Sequence, residues 1–209
     1  VAPSITGQSS PDRIKDGLDK GAVEGTINLP YDIPNLQIEY VMANTPVPIG
    51  SWRSVYPSQN VFALECFMDE LAGAAGKDPY AFRRALMLNR PRMLRVLDMA
   101  AEKSGWDKPL PAGRYRGIAF SPPSFFRTPV AQVAEISIDN GTVRVHRVVC
   151  AIDCGIVINP DGLAAQMEGG VVYGLSAALK GEITLQQGRV EQGNFDDYPI
   201  LTLEETPVV

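Results

Sequence analysis

A predicted β-hairpin decides the fold class of this chain. Residues 130–152 read VAQVAEISIDNGTVRVHRVVCAI, in which two runs of alternating apolar and polar residues meet at Asp139-Asn140-Gly141. An Asn-Gly pair favours the left-handed turn that matches the twist of antiparallel strands. We therefore predict strands from Val130 to Ile138 and from Thr142 to Ile152, preceded by a strand from Gly117 to Ser121.

A stretch of three helices is predicted before these strands. Ser58 is a candidate N-cap for the first helix, and Gly76 can end it in a left-handed conformation. Asp78-Pro79 is typical of a helix start and predicts the second. Pro91 predicts the start of the third, which ends near Gly105.

A glycine-rich helix is predicted after the hairpin, from Asn159-Pro160 to about Leu179, and a short second hairpin around Gln187-Gly188. Strands and helices are therefore mixed without regular βαβ alternation. This order favours an α+β fold.

The beginning of the chain lacks clear periodicity. Residues 1–30 are rich in Gly, Ser, Pro, Asp and Lys, which predicts a linker or surface arm, with residues 31–209 forming the domain proper. Within that domain, the run from Ile38 to Ala43 is predicted to be a strand.

The composition narrows the class of function. The chain has 209 residues, 45% of them hydrophobic, and a formal net charge of -5. A net acidic surface does not attract phosphate backbones, so we expect no nucleic-acid partner. No apolar stretch approaches the roughly 20 residues that span a bilayer, so we expect no transmembrane segment; the compartment is not indicated.

The cysteines and the single histidine do not suggest a metal site. Cys66, Cys150 and Cys154 have no metal-type spacing and are predicted to be buried free thiols. His146 lies in an alternating segment that predicts the polar face of a strand. We therefore expect no metal ligand and no Ser/His/Asp triad in this chain.

The first segment that could carry chemistry is the loop at residues 50–60, GSWRSVYPSQN. It presents Arg53 just before a helix, and a guanidinium with nearby helix N–H groups suits an anionic or carbonyl-bearing ligand. A surface loop whose arginine meets solvent or a carboxylate is the alternative.

The second segment runs through residues 165–174, AQMEGGVVYG. Each glycine inside a helix costs roughly 1 kcal/mol relative to alanine, which indicates that something approaches the backbone closely. Gln166 offers both donors and an acceptor to a ligand with mixed hydrogen-bonding groups. A neighbouring helix packed on the glycines, with Gln166 bonded to backbone, explains the pattern equally.

Carboxylates on the first helix are the third candidate. Glu65, Asp69 and Glu70 fall at different positions around the helix, so we expect different roles for them. Asp69 and Glu70 are interpreted as cap, solvent or ion-pair residues rather than an acid/base pair. Glu168 precedes two glycines, but nothing in the sequence places it at a reactive centre.

Several spaced motifs, taken in order, resemble the large subunits of isoquinoline 1-oxidoreductase-like enzymes in the xanthine oxidase and aldehyde oxidase family of molybdenum hydroxylases. The resemblance covers roughly residues 30–209. Its motifs are Trp-Arg-Ser-Val at 52–55, Gln59-Asn60, Phe-Met-Asp-Glu-Leu-Ala at 67–72, Gly-Lys-Asp-Pro at 76–79, Val-Cys-Ala-Ile-Asp-Cys-Gly at 149–155, Asn-Pro-Asp at 159–161 and Ala-Gln-Met-Glu-Gly-Gly at 165–170.

The resemblance implies roles for individual residues. Arg53 and Gln59 would belong to the loop beside the metal centre, and Gln166 would hydrogen-bond the pterin. Val55 would face the substrate. A glycine commonly follows Trp-Arg-Ser-Val in this branch; Tyr56 replaces it here, which either narrows the substrate entrance or disturbs the loop.

The resemblance also implies a chemistry and partners. Molybdopterin, including its cytosine dinucleotide form, would bind a part of the molybdopterin-binding domain formed by this chain. N-heteroaromatic rings or aldehydes would be hydroxylated with water-derived oxygen, and electrons would pass to 2Fe-2S clusters on a small partner subunit. The catalytic glutamate would lie in a Gly-x-Gly-Glu segment beyond Val209. We therefore expect an interior-to-C-terminal piece of the large subunit, with no catalytic residue of its own and dependent on the remainder of that subunit.

Two other classes of function remain open at this point. The chain could be a truncated, cofactor-free scaffold or interaction domain, which a stop codon after Val209 would favour. It could also be an unrelated binding module in which the loop at 50–60 holds an anion.

Overall fold

The computed structural model of the protein describes residues 14–15, 18–19, 21–41, 52–123 and 127–209. Helices and antiparallel strands occur together without βαβ units, so the predicted α+β class is confirmed. The first elements among the described residues are two short paired strands, β1 (Ile14–Lys15) and β2 (Leu18–Asp19). The predicted division at residue 30 stays a prediction.

A three-stranded antiparallel sheet forms the centre of the fold. It contains β3 (Arg114–Ser121), β4 (Val130–Asp139) and β5 (Thr142–Ile152) in that order. The predicted turn between β4 and β5 is confirmed, since Asn140 and Gly141 have φ values of 51° and 83°. One face of the sheet is buried through Ile118, Phe120, Ala131, Val133 and Ala151.

Three helices precede the sheet: α1 (Pro57–Ala74), α2 (Pro79–Ala85) and α3 (Pro91–Ser104). Each begins with proline, whose missing N–H has no intrahelical partner at that position. The predicted start of α2 is confirmed, because the Asp78 carboxylate accepts a hydrogen bond from Ala81 N–H at 2.9 Å. Gly76 and Gly105, with φ of 62° and 67°, follow α1 and α3 as predicted.

The predicted Ser58 cap is wrong. Pro57 sets the start of α1 one residue earlier, so Tyr56 occupies the N-cap position and makes no capping side-chain bond. The Ser58 hydroxyl instead contacts the Ser54 hydroxyl and the Arg53 carbonyl. Ser58 therefore ties the preceding turn to the helix.

The main core lies between the helices and the sheet. Met68 of α1 and Leu97 of α3 are almost completely buried against Phe120 of β3. Burying one such side chain contributes about 1.5–3 kcal/mol, so this cluster supplies much of the driving force for folding. Tyr31 joins the same cluster from the segment before α1.

A buried polar network, which we call the Arg83 network, crosses this core. Arg83 of α2 is fully buried; its Nε donates to Glu65 of α1 at 2.9 Å, and its Nη1 bonds to Asp69. The Glu65 carboxylate also accepts hydrogen bonds from the Tyr31 hydroxyl and Phe120 N–H, both at 2.8 Å. Burial raises the pKa of Glu65, although Arg83, Tyr31 and Phe120 N–H each favour its ionised form. Glu65 and Asp69 are therefore structural partners of Arg83.

The glycine-rich helix, α4 (Pro160–Leu179), has the predicted bounds. The Asn159 side chain accepts from Gly162 N–H at 2.9 Å and caps its start. Within the described residues, Val171 is its one buried side chain, packed against Val145 and Val148 of β5. Most of α4 therefore faces outward.

The end of the chain packs beside α4 and β5. The predicted hairpin is confirmed by β6 (Leu185–Gln186) and β7 (Arg189–Val190), joined through Gln187 and Gly188, both with positive φ. A 3-10 helix follows at Leu203–Glu205. None of the helices in the described part is long and apolar enough to cross a membrane.

Two further predictions need correction. The strand from Ile38 to Ala43 is wrong where it can be checked, since residues 38–41 are irregular; residues 42 and 43 lie outside the described residues. Cys150 is half-buried, and burial raises the pKa of its thiol. Cys66 and Cys154, however, are exposed. Cys66 lies on the outer side of α1, because neighbouring Glu65 takes the inward position.

Candidate functional site

Arg53 lies in a tight turn directly before α1. Ser54 and Val55 both have positive φ, 74° and 45°, which is unusual for a β-branched residue such as valine. Val55 N–H donates to the Trp52 carbonyl at 2.9 Å, and the Ser58 hydroxyl donates to the Arg53 carbonyl at 3.3 Å. Backbone conformations of this kind cluster at functional sites, where the surrounding structure maintains them.

Arg53 meets Gln166 across 113 positions of sequence. Its Nη2 donates to Gln166 Oε1 at 3.3 Å. The guanidinium carbon lies 5.8 Å from the centre of the Tyr173 ring, within the range of a cation–π contact. Trp52 packs edge-to-face on the same ring, with centroids 5.8 Å apart. The structure therefore brings two of the three predicted cofactor-binding residues into contact.

A cavity of about 650 Å³ opens beside this contact, and we call it the α4 cleft. One wall is the turn and the start of α1; the other is the outward side of α4. Gln59, the third predicted residue, lines it together with Arg53. The described residues that line it are Trp52, Arg53, Ser54, Ser58, Gln59, Phe62, Gly170, Tyr173, Gly174, Ala177 and Ala178.

The glycines of α4 leave its backbone open. A methyl group added at Gly169, Gly170 or Gly174 would meet no atom of the described residues within 4 Å. No other helix in the described part of the chain packs on this surface. Packing between those helices therefore does not account for the glycines. Gly170 and Gly174 both line the α4 cleft, where a side chain would leave less room for a ligand.

The charge and polarity of the cleft suit an anionic, hydrogen-bonding ligand. Arg53 carries the only charge among the described residues that line it, and Ser54, Ser58 and Gln59 add hydroxyl and amide groups. A pterin dithiolene bearing a phosphate presents mixed donors and acceptors and negative charge, so the residues present fit it. No group of three or more His, Cys, Asp or Glu in the described part could hold a bare metal ion.

Val55 and Tyr56 do not join Arg53 in this cleft. The Val55 side chain is 38% exposed and is absent from the cleft lining. The Tyr56 ring approaches Gly21, where an added Cβ would lie 3.3 Å from it. Tyr56 lines a separate cavity of about 770 Å³, which Gln59 also borders. Their role towards substrate stays a prediction.

Tyr173 was not among the site residues predicted from the sequence. This residue follows Gln166 by seven positions, or about two turns, and therefore returns to nearly the same side of α4. That spacing, next to two glycines, was the signal that could have identified it. Glu168 is exposed and lines neither the cleft nor the Arg83 network.

Comparisons with known proteins found related domains and related sequences. Two models of molybdopterin cofactor-binding domains match residues 18–87 and residues 96–207, so that Arg53 lies in the first and Gln166 in the second. The chain is 34% identical over 184 residues to the beta chain of isoquinoline 1-oxidoreductase from Brevundimonas diminuta. It is 33% identical over 198 residues to a subunit of nicotinate dehydrogenase from Pseudomonas putida. Each match covers 86% of this chain.

A third relative is a membrane-bound aldehyde dehydrogenase (pyrroloquinoline-quinone) of Gluconacetobacter polyoxogenes, 30% identical over 76% of this chain. The chain spans 23%, 16% and 23% of the lengths of these three relatives in the order given. By name, all three are oxidoreductases or dehydrogenases. This chain therefore belongs to the molybdopterin cofactor-binding domain family, in the group of the xanthine oxidase-type molybdenum hydroxylase large subunits.

Proposed function

We propose that this chain contributes the α4 cleft to the cofactor site of a molybdenum hydroxylase, with Arg53, Gln59 and Gln166 as cofactor-binding residues. The observation that carries the proposal is the contact between Arg53 and Gln166 beside glycines whose Cβ positions are open. Arg53 lies in the region matched by one family model, and Gln166 lies in the region matched by the other.

Each residue has a chemical task in this proposal. Arg53 binds a negative oxygen or sulfur through the guanidinium donors that Gln166 does not use. The amides of Gln166 and Gln59 each combine donor and acceptor groups, which pair with a pterin edge. Gly170 and Gly174 let the ligand approach the backbone of α4. Val55 and Tyr56 belong to the substrate side of the loop.

The cofactor itself would supply a Lewis-acidic metal that activates water as a nucleophile. The task of this chain is then to orient the ligand and to hold charge near it. We assign no catalytic residue to this chain; the general base would come from another part of the large subunit.

For the whole protein, we propose hydroxylation of an N-heteroaromatic ring or an aldehyde, in which R–H and water yield R–OH, protons and electrons. The electrons would pass to 2Fe-2S clusters on a small partner subunit. The cytosine dinucleotide form of the cofactor is part of the same proposal. The names of the relatives support both substrate types.

Molybdenum content tests this proposal. The full-length protein would be purified from a molybdate-supplied host that makes the pterin, and its metal measured by elemental mass spectrometry. We expect about one molybdenum per chain and a fall of about tenfold or more in Arg53→Ala, since losing a charged contact costs roughly 1.5–3 kcal/mol, and about 1.4 kcal/mol is tenfold in affinity.

The matched control is Arg84→Ala, which removes another exposed arginine, one that pairs with Asp98 away from the cleft. It should retain its molybdenum. A folded full-length protein without any molybdenum would overturn the cofactor role and favour a scaffold.

A further inference from the structure

Hydrogen bonds alone hold the Arg53 guanidinium weakly. Its one side-chain hydrogen bond among the described residues goes to Gln166 Oε1 at 3.3 Å, whereas such bonds are usually about 2.9–3.0 Å long. No carboxylate of the described residues forms an ion pair with it. A long side chain held at one point loses further rotational freedom when it binds a ligand, and that loss weakens binding.

The ring of Tyr173 gives Arg53 a second support. The guanidinium carbon lies 5.8 Å from the centre of this ring, and the negative face of an aromatic ring attracts a cation at such a distance. A carboxylate would also attract the guanidinium, but it would neutralise the charge and occupy N–H donors. The ring does neither. Arg53 therefore retains its positive charge and its remaining donors for an anionic ligand.

Tyr173 is itself fixed from two sides. Its helix, α4, packs on β5 through the nearby Val171, which is buried. Trp52 contacts the Tyr173 ring with centroids 5.8 Å apart and an angle of 80° between the ring planes, an edge-to-face arrangement that aromatic pairs favour. Trp52 directly precedes Arg53, so one turn supplies both the cation and the ring that limits the tilt of Tyr173.

The turn before α1 is held by bonds of its own. Val55 N–H donates to the Trp52 carbonyl at 2.9 Å, and the Ser58 hydroxyl donates to the Arg53 carbonyl at 3.3 Å. The contact between Arg53 and Tyr173 therefore joins two elements whose positions are set by other contacts. A binding group that is oriented in advance loses less freedom when its ligand arrives.

We propose that Tyr173 is a positioning residue for Arg53. The face of its ring holds the guanidinium at the edge of the α4 cleft before the cofactor binds, and Trp52 holds the ring. The inference rests on the proposed function, in which Arg53 binds the cofactor. It adds that Arg53 must be oriented in advance, and that the ring face of Tyr173, rather than its hydroxyl, is the group that does so.

The molybdenum content of the full-length protein, purified from a molybdate-supplied host, tests the role of the ring. Tyr173→Phe keeps an aromatic face and should retain the metal of the parent protein. Tyr173→Leu has no such face and should lose about two- to fivefold of the molybdenum, the change to which a cation–π contact at an exposed site corresponds. Equal molybdenum contents in the two variants would overturn the proposal.

Fluorinated phenylalanines at position 173 separate the charge of the ring face from the shape of the ring. Each fluorine draws negative charge away from the face, while the ring keeps nearly the same size and stays apolar. We expect molybdenum content to fall stepwise from phenylalanine through its mono-, di- and trifluorinated forms. The free energy of unfolding should stay nearly constant, because the Tyr173 side chain is exposed. A constant molybdenum content across the series would overturn the proposal, since a merely structural role would not depend on the number of fluorines.

Phe82 provides the matched control. Its ring centre lies 6.0 Å from the Lys77 ammonium nitrogen, so it makes another cation–π contact. Neither residue is among the described residues that line the α4 cleft. The same fluorinated residues at position 82 should leave the molybdenum content unchanged. A parallel fall at both positions would overturn the assignment to Tyr173.

An Arg53→Ala background separates this inference from the proposed function. With the guanidinium removed, the fluorinated series at position 173 should have no further effect on molybdenum content; a continuing effect would overturn positioning through Arg53. Full molybdenum content in Arg53→Ala alone would contradict the proposed function and this inference with it. Loss of metal in Arg53→Ala combined with no loss in Tyr173→Leu would overturn this inference alone.

Discussion

Two arginines link distant parts of this molecule in opposite ways. Arg83 is fully buried and makes four hydrogen bonds to described residues, two of them to carboxylates. Arg53 is exposed, and its side chain makes one hydrogen bond in the part of the chain that the structure describes, to a neutral amide. The first arginine joins α1 and α2; the second joins the turn before α1 to α4.

The difference indicates how to separate stability from binding. A buried arginine with its partners in place has no donor to offer a ligand, and breaking the set leaves a charge without compensation. An exposed arginine contributes little to folding but retains donors for a ligand. We therefore expect variants in the Arg83 network to change unfolding, and variants at the α4 cleft to change cofactor content.

The largest expected effect is that of Glu65→Ala. It removes the hydrogen bonds to Arg83, Tyr31 and Phe120 N–H and leaves Arg83 largely without its counter-charge. We expect a loss of about 3–5 kcal/mol in the free energy of unfolding, measured by denaturant titration. Glu70→Ala, at an exposed position of the same helix, should change it by less than about 0.5 kcal/mol. Similar losses in the free energy of unfolding for the two variants would contradict a structural role for the Arg83 network.

The next effect has opposite signs for stability and binding. Gly170→Ala combined with Gly174→Ala should raise the free energy of unfolding by about 1–2 kcal/mol, because alanine is the better helix former and the methyl groups meet nothing within 4 Å. Both glycines line the α4 cleft, where the methyl groups would take up room for the ligand, so molybdenum content should fall several-fold. Gly73→Ala in α1, equally open, should stabilise without loss of metal. An unchanged molybdenum content in the double variant would contradict cofactor binding in the α4 cleft.

A smaller effect on stability is expected for the exposed ion pair between Lys180 and Glu205. Lys180 and the backbone and hydroxyl of Thr202 lower the pKa of Glu205 to about 2 from its ordinary 4.5. The stabilisation it provides is thus complete above pH 4.5 and is lost as the pH falls towards 2. Glu205→Gln should therefore flatten the decline of the thermal midpoint between pH 5 and 2. Glu204→Gln, a change at the neighbouring residue, should leave that decline unchanged. If the thermal midpoint fell equally with pH in the parent protein and in both variants, the Lys180–Glu205 pair would not contribute to stability.

The smallest effect is that of the Arg53–Gln166 contact on folding. In a double-mutant cycle of Arg53→Ala and Gln166→Ala, we expect a coupling below about 0.5 kcal/mol in unfolding, since both groups are exposed. Molybdenum content should instead be strongly non-additive, because both residues bind one ligand. A coupling energy in unfolding as large as that of a buried pair would mean that Arg53, like Arg83, has a structural role.

Local chemistry made most of the fold predictable from the sequence. Prolines at 57, 79, 91 and 160 lie at the first position of the four long or capped helices, and Asn140-Gly141 required its turn. Of these starts, only that of α1 was misplaced, because Ser58 competed with Pro57 as the apparent signal. The irregular segment at 38–41 was misread, since its apolar residues resemble a strand but pair with no strand in the described part of the chain.

The candidate site residues came from motif resemblance, and their role stays a prediction. The structure adds that Arg53 and Gln166, two of the three, are in contact. The Arg83 network could not be predicted, because it joins residues from several elements. The partners of Arg83 are set by tertiary packing rather than by spacing along the chain.

The attachment of Val208 to β5 affects how molecules of this protein associate with one another. Val208 forms a parallel bridge to Arg147, and its N–H donates to the His146 carbonyl. β5 is an outer strand of the sheet, and an uncovered outer strand offers N–H and C=O groups to any other chain. Val208 occupies the Val148 N–H and the His146 C=O of β5 and so reduces the part of this strand that is open to strand-to-strand aggregation. Breaking the pairing of Val208 with β5 would then promote precipitation before it changed the fold.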